Sequence, residues 1–150
     1  MELSFIDRLL NTAEGKRPKN SWELDREFRA SLCRDLTDLL NTRRAERDVP
    51  PIFEETTKSL LTFGIPDFTQ YDLRSTAEQE RVRISIERAI RQFEPRLTRV
   101  KVIPQTPDNV APALRFHIEA KLRDEDDIDD VEFDANVIRE SRRISVTGGS

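Results

Sequence analysis

Residues 75–103 read STAEQERVRISIERAIRQFEPRLTRVKVI, and the change of period inside this stretch decides the fold class. Val82, Ile86, Ala89, Ile90 and Phe93 recur at intervals of three and four, which predicts a helix with one apolar face. Ser75-Thr76-Ala77-Glu78 at its start fits a capping box, a hydroxyl residue followed three positions later by Glu. Pro95 ends the helix, because it has no N–H and steers Glu94 away from helical angles. Beyond it Leu97, Val100, Val102 and Ile103 predict a strand that stops at Pro104.

The same division holds outward in both directions. Downstream, Leu114, Phe116, Ile118, Ala120 and Leu122 alternate with polar residues, as do Val131, Phe133, Ala135 and Val137, and Ile144-Ser145-Val146 adds a short last strand. Upstream, Leu24, Phe28, Leu32, Leu36, Leu39 and Leu40 predict a helix from about Trp22 to Arg43, with Cys33 along its buried stripe as a structural thiol. Val49-Pro50-Pro51 marks a loop, and a short helix over Glu54–Phe63 closes on Gly64 as its C-terminal cap before Ile65-Pro66-Asp67 turns the chain. The expectation is therefore α+β: three N-terminal helices followed by an antiparallel sheet of three to four strands. Residues 21–150 form one domain in this reading. Residues 1–20 are a flexible segment whose Leu3, Phe5, Ile6, Leu9 and Leu10 make either a frayed end or a small docking peptide.

Of the 150 residues, 36% are hydrophobic and 36% charged, with a formal net charge of −4. Residues 1–50 and 51–100 are charge-balanced, and residues 101–150, with 7 basic and 11 acidic side chains, supply the imbalance. It traces to the run Arg123-Asp-Glu-Asp-Asp-Ile-Asp-Asp130, read as a solvated turn between two strands. Twenty of the 25 basic residues are Arg, the side chain suited to bidentate ion pairs, which points to specific protein contacts. An acidic chain disfavours bulk nucleic-acid binding. No apolar run approaches a membrane span and the N-terminus lacks the blocks of a signal peptide, so a cytoplasmic location is expected.

Tests for chemistry remove most enzyme classes. Counted from Asp124, the sixth and twelfth positions of an EF-hand loop are Asp129 and Ala135 rather than Gly and Glu, and one His with one Cys does not make a zinc site. His117 falls on the face opposite Leu114, Phe116 and Ile118, as an exposed strand histidine, and four glycines leave no room for a phosphate-binding loop. No catalytic residue, metal ligand or cofactor is expected. Glycoside hydrolysis needs only two carboxylates, and Glu94 is the natural candidate. Yet Arg96 lies two residues on in an extended segment, and a neighbouring guanidinium favours an ionised carboxylate, whereas a general acid must hold a proton.

Glu94-Pro95-Arg96-Leu97 at a helix-to-strand junction, with Arg34-Asp35-Leu36, Leu39-Leu40-Asn41-Thr42-Arg43 and Phe63-Gly64-Ile65-Pro66-Asp67, resembles the TssE baseplate subunits of bacterial type VI secretion systems. These are homologous to the lysozyme-like wedge proteins of contractile phage tails. The resemblance runs over roughly residues 3–147 and implies a structural protein, not an enzyme. Its expected partners are the baseplate subunits TssF, TssG and TssK and the sheath subunits TssB and TssC. The baseplate would be cytoplasmic, docked at the inner-membrane complex of a Gram-negative bacterium. It also implies that Glu94, Pro95, Arg96 and Leu97 contact the helical core bundle of the wedge, with Arg34, Asp35, Asn41, Arg43, Gly64, Pro66 and Asp67 as a further structural set. The C-terminal strands resemble a sheath protein's pairing element, which suggests β-augmentation, with the acidic turn guarding the edge. The alternatives are a peptidoglycan hydrolase built on Glu94, or a small cytoplasmic adaptor unrelated to secretion.

Overall fold

The computed structural model describes residues 21–44, 62–68, 70–105, 114–123, 130–138, 141 and 143–148. Within them lie two helices, α1 (Ser21–Asn41) and α2 (Thr76–Phe93), and four strands: β1 (Leu97–Gln105), β2 (Leu114–Leu122), β3 (Asp130–Ile138) and β4 (Arg143–Gly148). The strands form one antiparallel meander in the order β1-β2-β3-β4. The fold is α+β. The second of the three expected helices, Glu54–Phe63, lies outside the described residues except for its last two, as do residues 1–20 and the acidic turn at 124–129.

The two helices cover one face of the sheet, α2 over β1 and α1 over β4, and touch each other. The apolar periods explain this layering. Phe28, Leu32, Leu36, Leu39 and Leu40 of α1 and Val82, Ile86, Ala89 and Ile90 of α2 are buried against Phe116, Ile118, Phe133, Ala135 and Ile144 of the sheet. Cys33 packs at the margin of this core, and burial pushes its thiol pKa up, only partly countered by Arg34. The opposite sheet face carries charges at directly opposed register positions. Lys101 pairs with Glu119 (3.6 Å), Lys121 with Asp130 (2.8 Å) and His117 Nδ1 with Asp134 (2.9 Å). His117 is on the predicted face but is half-buried rather than exposed, because its ring lies between Asp134 and Glu132.

Three local features are not given by the sequence pattern. Strand β1 runs through Pro104 to Gln105, which is possible because β1 is an edge strand and Pro104 has no ladder donor to lose there. Leu97 and Val100 are both buried although three residues apart. A bulge between Thr98 and Lys101, with Arg99 at φ 52°, inserts the extra residue that turns both inward. The capping box does not form: Ser75 makes no side-chain cap, and Glu78 pairs with Arg81 instead (3.2 Å). The helix entry is held by Asp72, whose Oδ1 accepts from Arg74 N–H and whose carbonyl accepts from Ser75 N–H.

Both sheet edges are closed by helix side chains. Along β1, Arg91 donates twice to the Val100 carbonyl (2.6 and 3.1 Å), Val102 N–H donates to Glu87 (3.3 Å) and Arg83 donates to the Val102 carbonyl (3.3 Å). Along β4, the Asn41 amide does what a neighbouring strand would do. Its Oδ1 accepts from Ile144 N–H (2.9 Å), its Nδ2 donates to the Ile144 carbonyl (2.7 Å), and Thr37 Oγ1 accepts from Val146 N–H (3.3 Å). Unpaired edges invite association with other chains, and these contacts remove that opportunity at the positions they cover.

Gly64 joins the helical layer to the 62–68 segment. It is buried at φ 100°, and a Cβ there would collide with the Thr42 carbonyl, which accepts from Ile65 N–H (3.0 Å). Gly64→Ala is expected to destabilise the fold by about 1–3 kcal/mol through this strain and collision, read as a lower urea midpoint. Asn41→Ala strands the Ile144 amide and carbonyl. It is expected to lose about 1–3 kcal/mol and to give concentration-dependent self-association in sedimentation experiments.

Candidate functional site

The junction between α2 and β1 is tied by both backbone and side-chain bonds. Glu94 caps α2, its N–H donating to the Ile90 carbonyl (2.9 Å), and its own carbonyl accepts from Leu97 N–H (3.1 Å) across the turn made by Pro95. Arg123 N–H donates to the Arg96 carbonyl (2.8 Å), so the end of β2 locks the same turn. Pro95 is exposed, Arg96 is half-buried, and Glu94 and Leu97 belong to the interior, at 5% and 4% exposure.

Charge organises the turn. Arg96 Nε and Nη2 donate to the two Glu94 oxygens (2.7 and 2.6 Å), and Arg96 N–H adds a third bond to Glu94 Oε1 (3.2 Å). Nη2 also reaches Asp35 on α1 (2.5 Å), and the guanidinium lies 5.8 Å over the Phe28 ring. One side chain thus joins α1, the end of α2 and the start of β1. Burial by itself would lower the Arg96 pKa, but the bonds and charges of Glu94 and Asp35 outweigh it and raise it above its ordinary value. Arg96 Nη1 is buried and has no acceptor, so the guanidinium keeps unused donor capacity.

A model of the baseplate wedge protein gp25 family matches residues 26–127, more than half of the chain, and the match contains every member of this cluster. The chain belongs to that family. No curated protein matches it. The wedge-family match spans most of α1, all of α2 and the first two strands, and stops before β3 and β4.

The further motif residues occupy four places. Asp35 joins the Arg96 cluster, and Asn41 seals the β4 edge. Arg43 donates to the Leu40 carbonyl (3.3 Å), lies 4.3 Å over the Phe68 ring and faces Asp67 at 3.9 Å, clamping the segment that carries Gly64 and Pro66. Burial lowers the Arg43 pKa, with the Asp67 charge acting against it. Arg34 is exposed on α1. Sequence reasoning named Asp35 without its partner, since 61 residues separate it from Arg96. It also missed Thr37, Arg83, Glu87 and Arg91 as edge seals. The i,i+4 spacing of Glu87 with Arg83 and Arg91 marks ion pairs, and says nothing of a strand alongside.

Removing the guanidinium alone leaves a buried carboxylate. Arg96→Ala is expected to cost about 3–5 kcal/mol in urea unfolding, whereas the apolar pair Glu94→Leu with Arg96→Met recovers most of that loss.

Proposed function

We propose that this wedge-family chain is a TssE-type baseplate subunit of a type VI secretion system, an assembly protein rather than an enzyme. In this reading it joins TssF and TssG, with TssK, in the wedge and helps to start the contractile sheath of TssB and TssC on the cytoplasmic side of the inner membrane. Among the described residues no helix is long and apolar enough to cross a membrane.

The observation that carries the reading is the Arg96 cluster beneath exposed Pro95. Glu94 is fully engaged within the chain, so its role is to hold the junction rigid. The surface offered to a core bundle is Pro95 with the outer edge of Arg96. Rigid presentation lowers the entropy cost of association. The same engagement weighs against a hydrolase, since both Glu94 oxygens already accept from Arg96 and a glycosidic oxygen would have to displace a bidentate guanidinium. Sheath contact by β-augmentation at β4 requires Thr37 and Asn41 to release Ile144 and Val146, or pairing beyond Val146 toward Gly148.

Reconstitution with purified TssF and TssG tests the proposal. The wild-type chain is expected to co-elute with the wedge, and Pro95→Asp, folded by circular dichroism, to lose at least tenfold in retention. A wild-type chain that stays free overturns the assembly role. Clearance of purified cell wall by the wild type, abolished by Glu94→Gln, would establish the hydrolase instead.

A further inference from the structure

The outer face of α2 carries an apolar side chain, Ile84, and a cation, Arg88, that no hydrogen bond or ion pair among the described residues uses. Ile84 is 50% exposed, one of two large exposed hydrophobic side chains among the described residues. It lies between two adjoining hollows of about 330 Å³ and about 70 Å³ that share Ile84 and Arg88. Pro66, Ala89 and Phe93 add apolar lining, and Phe93 is fixed edge-to-face on Phe63 with centroids 5.2 Å apart.

The rim is cationic. Arg44, Arg88 and Arg91 line the groove against a single lining carboxylate, Glu87, which is already held by Arg83 and Arg91 at 2.8 Å each. The other arginines of α2 have acid partners: Arg81 has Glu78, and Arg83 has Glu80 as well as Glu87. Arg88, one turn from Ile84, and Arg44 across the groove have no carboxylate partner among the described residues. Unpaired guanidiniums around an exposed aliphatic side chain select a ligand that is both acidic and apolar. A nucleic-acid backbone supplies the negative charge but nothing to cover Ile84.

Resting on the assembly reading above, we propose that this groove docks an acidic segment of a neighbouring baseplate subunit. That segment would place an aliphatic or aromatic side chain on Ile84 and carboxylates on Arg88 and Arg44. None of Glu94, Pro95, Arg96 and Leu97 lines the groove, so each subunit has two points of attachment and both must be satisfied for full retention.

The test uses the reconstituted TssF–TssG wedge with Ile84→Asp and Arg88→Glu variants, and with a photo-crosslinking residue at position 88 read by mass spectrometry. Both substitutions are on exposed positions, so the urea midpoint should match the wild type. Retention is expected to fall at least tenfold in each variant and to weaken with salt in the wild type, with crosslinks in an Asp- and Glu-rich segment of another subunit. Wild-type retention of both variants overturns the groove and leaves the baseplate role standing. Crosslinks into a neutral or basic segment, or into residues 124–130 of a second copy of this chain, also overturn it. A wild-type chain that does not enter the wedge overturns both proposals.

Discussion

The fold is held at one point by a shared cation. Arg96 is bonded to Glu94 two residues away and to Asp35 across the core, and three elements meet at its guanidinium. Breaking a buried pair costs far more than forming it contributes, so the cluster acts mainly as a constraint on geometry. It sets where α1 lies against the end of α2, and with it the position of Asn41 and Thr37 beside β4. Two turns along α1 separate Phe28, under the guanidinium, from Asp35, which grips it, so the helix is fixed in rotation as well as position.

That constraint bears on the sheet's edges. A four-stranded meander has two open sides, and here each is covered by polar side chains of the helix that packs nearest to it. The helices thus bury the apolar face and also satisfy edge backbone groups at Val100, Val102, Ile144 and Val146. A protein of the baseplate wedge family has to meet its neighbours without pairing indiscriminately, and covered edges allow that. Among the described residues, the junction at Pro95 and the groove over Ile84 stay exposed, and these differ in kind. One is a rigid turn backed by buried charge, the other an apolar spot beside Arg88 and Arg44, which have no carboxylate partner among the described residues.

Much of this was legible along the chain. The apolar positions of α2, β2, β3 and β4 were readable because burial on one face imposes a period on the sequence, 3.6 for the helix and 2 for the strands. The motif at Glu94-Pro95-Arg96 was also visible as a junction, since proline ends a helix for local reasons. Leu97 and Val100 were readable as strand residues, but not the bulge with Arg99 at positive φ that turns both inward, because it leaves no mark in residue type. The capping box failed for a similar reason. The signature at Ser75 and Glu78 was present, but Asp72 and Arg81 offered competing partners.

By itself, the sequence determined the order of the elements, the faces that turn inward and the charge that gathers at the helix-to-strand junction. These follow from local sterics and from the cost of leaving apolar surface in water, both of which act over a few residues. Only the tertiary structure decided which carboxylates share Arg96, that Asn41 stands in for a strand, and that Ile84 is left outside. Each of these depends on groups brought together from 61 or 103 residues apart or on surface left over once the core is packed, and no period in the chain encodes either.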